Sequence, residues 1–160
     1  MTPFLKKRSF LICAALIALF AVGGAFVRFR SRGSNRVEQA REDAARGARY
    51  SAIKQYLSHL DEFPEDHGVR LELSELLKPL DSEDALEQLL KIPPSTPEYP
   101  KAIRHVAHIA VVGQQDDLAE DALRKLDQVC PDDAGVALSL AELYYRTQRY
   151  VESLPWVEQA

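Results

Sequence analysis

The chain has 160 residues, 46% of them hydrophobic and 28% charged, which suits one domain of ordinary size with an appended segment and excludes both disorder and two large domains. The net charge of -4 conceals an asymmetry: residues 1–32 hold six of the 20 Lys and Arg and no acid, leaving 14 bases against 24 acids in the rest. So acidic a body excludes non-specific nucleic-acid binding, which needs clustered cations to displace phosphate counterions.

A basic tail, 1–8, opens the chain, and residues 9–27 follow without a charge as SFLICAALIALFAVGGAFV. As a helix this run spans about 28 Å at ~1.5 Å per residue, against a hydrocarbon layer of about 30 Å. Lys6, Lys7 and Arg8 precede it and Arg28, Arg30 and Arg32 follow it, so long cationic side chains at both ends can reach the headgroups. It reads as a single-pass transmembrane helix of the signal-anchor kind, with the body on the non-cytoplasmic side. The competing reading is a cleaved signal peptide, with Gly23 and Ala25 as the small residues of its cleavage site. Cys13 lies within the apolar run and Cys130 far from it, so neither a disulfide framework nor a cysteine zinc site is expected.

Beyond the linker, 28–35, the chain repeats. A small residue is followed by a large apolar one four positions on and by proline twelve positions on: Ala52, Tyr56 and Pro64; Ala85, Leu89 and Pro97; Ala119, Leu123 and Pro131. Ser153 and Val157 begin a fourth set, and the small residues are spaced by 33, 34 and 34. Residues four apart share a helical face, so the small one admits a neighbouring helix and the large one fills the space beside it. Proline, without an N–H, ends the unit.

Upstream of each set a second helix is written in apolar spacing: Val69, Leu73, Leu76 and Leu80; Ile103, Ala107 and Ala110; Ala137, Leu140, Ala141 and Tyr144. The predicted helices are 36–46, 50–62, 67–79, 83–92, 99–112, 116–129, 134–147 and 151–160. They pair as 36–64, 67–97, 99–131 and an incomplete 134–160. The fold expected is all-α: a transmembrane helix followed by an α-solenoid of about four antiparallel pairs.

The fourth unit, with Leu140, Ala141 and Tyr144, then Tyr150, Ser153, Val157 and Ala160, resembles the tetratricopeptide repeat family, whose period is 34 residues. The first unit departs from that pattern with Gln39, Ala40 and Asp43, the second is shortened by Pro93 and Pro94, and Pro155 is expected in the first turn of the last helix. The resemblance implies a non-catalytic protein that binds a peptide or partner protein in a groove lined by the first helix of each pair. Counting away from the core stripe puts Arg70, Ser74 and Lys78, then Lys101, Arg104 and His108, then Glu142, Tyr145 and Arg146 on that groove. The lining is mainly basic and would favour an acidic partner. Ser74 and His108 stand where the family's carboxylate clamp would have Asn, so that clamp is not expected.

No catalytic constellation, phosphate loop or cofactor motif is present in the sequence. His105 and His108 lie three apart without further ligands at metal spacing, and read as surface or groove histidines. Asp116, Asp117, Glu120 and Asp121 open a helix, where negative charge favours the dipole. The sequence therefore reads as a membrane-anchored interaction scaffold without enzyme activity. The alternatives are the repeat region of a larger envelope protein continuing past residue 160 and a secreted carrier. The last helix leaves a face of Ser153, Trp156, Val157 and Ala160 without a following helix, so self-association through it is expected as one way to cover that face.

Overall fold

The computed structural model describes residues 35–160. The anchor read over 9–27 lies outside the described residues, as do the tail and most of the linker. No described helix is long and apolar enough to cross a membrane. Among the described residues there are eight helices and no strand. They are α1 (35–45), α2 (Arg49–Glu62), α3 (His67–Leu77), α4 (Ser82–Leu90), α5 (Tyr99–Val112), α6 (Asp116–Val129), α7 (Ala134–Arg146) and α8 (Tyr150–Gln159). Contacts divide the chain within α2, into one unit ending at Gln55 and one running Tyr56–Ala160.

In the first unit Val37, Ala40 and Ala52 are buried. Asp43, at the register that carries Tyr144 in α7, accepts hydrogen bonds from Arg46 (2.5 Å), the Ser51 hydroxyl (2.6 Å) and Gln55 Nε2 (2.6 Å). These bonds, the Ser51 hydroxyl first, hold its carboxyl below the usual range. The departure from the repeat pattern thus replaces an aromatic side chain with a carboxylate that ties α1 to α2.

In the second unit the helices pack in antiparallel pairs, α3 on α4, α5 on α6 and α7 on α8, with α4 against α5 and α6 against α7 joining the pairs. The recurring small residues Ala85, Ala119 and Ser153 are buried, as are the large partners Tyr56, Leu89 and Leu123. Val157 is exposed. Aspartates start the helices: Asp66 accepts from the Val69 N–H, Asp81 from those of Glu83 and Asp84, and Asp133 from that of Gly135.

The turn inside a pair has one recurring geometry. Gly47, Gln114 and Gln148 occupy the same register, and all have positive φ (81°, 55° and 62°). Each donates to the carbonyl three residues back, while the next N–H donates to the carbonyl five back, as Ala48 does to Asp43 and Gln115 to Ala110. This is the Schellman ending. The α3–α4 turn lacks it, because Pro79 has no N–H to continue the helix. Helix α3 stops at Leu77, two residues before the predicted end, and Leu80 is turned to solvent instead of extending the apolar stripe. Pro155 also differs from expectation: α8 begins at Tyr150, so the proline lies inside the helix, beyond its first turn.

A polar knot joins α6, α7 and the start of α8. The buried Tyr144 hydroxyl donates to Glu120 Oε1 (2.9 Å), Arg124 donates to the same oxygen (3.1 Å), and Arg149 donates to Oε2 (2.5 Å). Arg149 also stacks over the Tyr144 ring, 4.5 Å from its centroid, and pairs with Glu152. The Arg149 bond above all, with those from Tyr144 and Arg124, holds Glu120 below its ordinary pKa of 4.5 against the opposing effect of burial.

Two outcomes test these local arguments. A non-glycine residue in the left-handed region costs about 1–2 kcal/mol, less the chain entropy that glycine loses on folding. Gln114→Gly and Gln148→Gly should therefore each stabilise the protein by about 0.5–1 kcal/mol in urea unfolding. Because the folded pKa of Glu120 lies below its unfolded value, its contribution is complete above pH 4.5 and lost as pH falls through the folded pKa. Glu120→Gln should lower stability at neutral pH and flatten the acid limb of the stability profile.

Candidate protein-binding surface

The first helices of successive pairs, α3, α5 and α7, place the predicted groove residues in three distinct settings. Arg70 and Ser74 are buried and offer no binding surface. Arg70 donates to Gln88 Oε1 on α4 (2.9 Å) and to the Pro64 carbonyl (2.6 Å), and the Ser74 hydroxyl donates back to the Leu71 carbonyl (2.7 Å). Both belong to the packing of α3, because the helix turns this side towards its neighbours instead of towards solvent.

Lys101, Arg104 and Arg146 are exposed, but each is matched by a carboxylate from another element. Lys101 Nζ lies 2.8 Å from Glu75 on α3, Arg104 donates to Asp133 at the start of α7 (2.8 Å), and Arg146 at the end of α7 pairs with Asp116 on α6. The acidic residues opening α6 therefore do more than favour a helix dipole. Asp116 and Glu120 reach α7 and α8, and Asp121 pairs with Lys125 within α6.

The side chains of Lys78 and His108 have no hydrogen-bond or ion-pair partner among the described residues. Both line a cavity of about 650 Å³ between the α3–α4 turn and the end of α5, with Leu86, Ile109 and Val112 as its apolar wall and Glu83 on its α4 side. His108 and Val112 also line a second cavity of about 210 Å³. Its other walls come from Arg104 and Val111 on α5, Leu123 and Leu126 on α6, and Gly135, Val136 and Ser139 on α7. His105, half-buried beside them, is held below the ordinary imidazole range by burial first, then by repulsion from Lys78, Lys101 and His108, with Glu75 opposing.

Glu142 and Tyr145 are exposed on α7, and Tyr145 meets Tyr150 edge to face at 5.3 Å between ring centroids. Leu138 on the same helix is also exposed. The cavity-lining Leu86, Val112, Val136 and Ser139 were not singled out by the sequence argument. Val112 could have been, since it closes an apolar run outside the Ile103, Ala107 and Ala110 stripe and is 71% exposed. Among the described residues, no group of three His, Cys, Asp or Glu side chains is arranged to hold a metal ion.

The burial of Arg70 makes it a stability residue. Arg70→Met, which removes the donors to Gln88 and Pro64, should cost about 1–3 kcal/mol in urea unfolding. It should leave binding at the α5 cavities unchanged at temperatures where the variant is folded.

No protein-family model matches the chain, and no curated protein matches it in sequence. Solved structures do match in fold. A crystal structure of MamA protein aligns with a TM-score of 0.69 at 17% identity, covering 79% of this chain and 70% of that one. A second MamA crystal structure gives 0.65 at 18%, over 75% and 71%. The structure described as "MamA RS-1 ArsTM double mutant" gives 0.68 at 15%, over 79% and 72%. At these identities the likeness is one of fold: an all-helical repeat architecture of the kind seen in MamA.

Proposed function

We propose that the chain is a tetratricopeptide-type interaction scaffold that binds a protein or peptide segment along the exposed side of α3, α5 and α7, and carries out no chemistry of its own. The observation that carries this reading is the pair of adjoining cavities sharing His108 and Val112, whose walls are drawn from consecutive helix pairs. Concave, partly apolar sites with a few convergent polar groups are where proteins take ligands. An acidic partner segment suits the cationic groups left unmatched there. Residues 9–27 tether the body to a membrane in this proposal, as a single-pass anchor with the repeats on the outer side. Self-association through the exposed α8 residues Val151, Leu154 and Val157 is a further part of it.

The test is site-specific photo-crosslinking in intact cells. A photoreactive residue at Val111 should trap a protein partner in the membrane fraction, whereas one at Glu87 or Gln128, exposed on the second helices, should not. Equal trapping from all three positions, or none from Val111, would sink the binding role of this face. The intact mass of the recovered chain separates a retained anchor from a cleaved leader.

A further inference from the structure

Resting on that binding role, a more specific inference follows from which charges on the α3–α5 face are spent and which are not. Lys101 is held by Glu75 and Arg104 by Asp133, and such exposed pairs leave little net field for a ligand. What remains at the junction of α3 and α5 is Lys78, His105 and His108. Glu83, which also lines the larger cavity, sits in the first turn of α4, where its charge is favoured by the helix dipole. Of these three groups Lys78 is the permanent cation, and its ammonium has no ion-pair partner among the described residues.

We propose that this junction is a histidine-gated site for an acidic segment, with carboxylates seated against Lys78, His105 and His108 and an apolar side chain anchored in the neighbouring cavity. Val111, Leu126 and Val136 supply the apolar contact in that cavity. The charged groups around His105 are Glu75 and Lys78 from α3 and Lys101 and His108 from α5, while His108 shares its two cavities with Lys78 from α3, Glu83 from α4 and Arg104 from α5. Glu75 is engaged by Lys101, and among the described residues no carboxylate lies within ion-pair distance of His105, so protonation of His105 adds positive charge that Glu75 offsets only in part. Burial first, and then crowding by Lys78 and Lys101, lowers the His105 pKa without a ligand, and an acidic ligand offsets the crowding. Ligand carboxylates therefore raise the imidazole pKa in the complex, and affinity must rise as pH falls through the imidazole range.

The probe is an array of twelve-residue peptides, acetylated and amidated so that only side chains carry charge, with one Leu and two Glu at varied spacing. Matched members carry Gln or Lys in place of Glu. Binding of the full-length protein in detergent is read at pH 7.5 and 5.5, both above the ordinary Glu range. Glu members should bind best and gain about threefold to tenfold at the lower pH. Lys78→Glu should abolish their preference over Gln members, and the His105→Gln, His108→Gln double variant should remove the pH gain. Circular dichroism and thermal melting at both pH values show that each variant is folded.

Gln members binding as tightly as Glu members, a pH gain surviving in the double histidine variant, or no Glu member binding at all would each overturn the proposal. Photo-crosslinking from Val111 separates this failure from that of the broader reading. A partner trapped there while the array shows no acid preference leaves the scaffold role intact and removes only the histidine gate.

Discussion

Close approach of paired helices is the constraint on which the rest of the structure depends, and one small side chain per repeat makes it possible. Ala85 and Ala119 are completely buried, and Ser153 nearly so. A larger residue at any of these positions would force the helices of its pair apart, and overpacking of a dense core is costly even for single methylene groups. Serine is tolerated at the fourth position because its hydroxyl donates to the Tyr150 carbonyl at 2.7 Å, within its own helix. It brings no unsatisfied group into the interface. With the approach set, the residue four positions on is set too: Leu89 and Leu123 fill the space beside the small residue.

The same register explains where the repeat can carry chemistry. Leu86, Glu120 and Leu154 are equivalent positions, yet only the middle one is a carboxylate. A charge there is stable because α7 brings the Tyr144 hydroxyl to it and the following turn brings Arg149. Burying a carboxylate without such partners would cost several kcal/mol. The repeat therefore tolerates substitution at this position when the next pair supplies donors, which couples α6 to α7 and α8 more specifically than apolar contact does. At Leu154, by contrast, the side chain is 61% exposed.

Much of the fold was legible in the sequence because its signals are local. The helix stripes, the small-to-large spacing and the turn residues each involve positions within one or two turns of one another, and the helices lie within about two residues of where periodicity places them. The misplacements are also local and concern proline: the end of α3 at Pro79 and the position of Pro155 within α8. The site was less legible, because its decisive facts join residues far apart in sequence. Arg70 looks like any solvated arginine until Gln88, eighteen positions on, accepts its hydrogen bond. The pairs Arg104 with Asp133 and Arg146 with Asp116 span 29 and 30 residues. No periodicity of hydrophobic residues reports them.

Those pairings change what the charge of the groove means. A basic lining on an acidic body suggests electrostatic recruitment, but the suggestion holds only for cations whose neighbours leave them unmatched. Where Glu75 meets Lys101 and Asp133 meets Arg104, the charges join α3 to α5 and α5 to α7. They contribute to how successive pairs are held and present little net field to a ligand. Under the proposed binding role, selectivity then passes to the few groups outside the pairs. In a stacked repeat, where each interface recurs along the chain, a charged side chain is therefore best assigned by asking first whether the next repeat supplies its counter-ion. Lys78, whose ammonium has no such counter-ion among the described residues, is the cation that the proposed binding role leaves to a ligand.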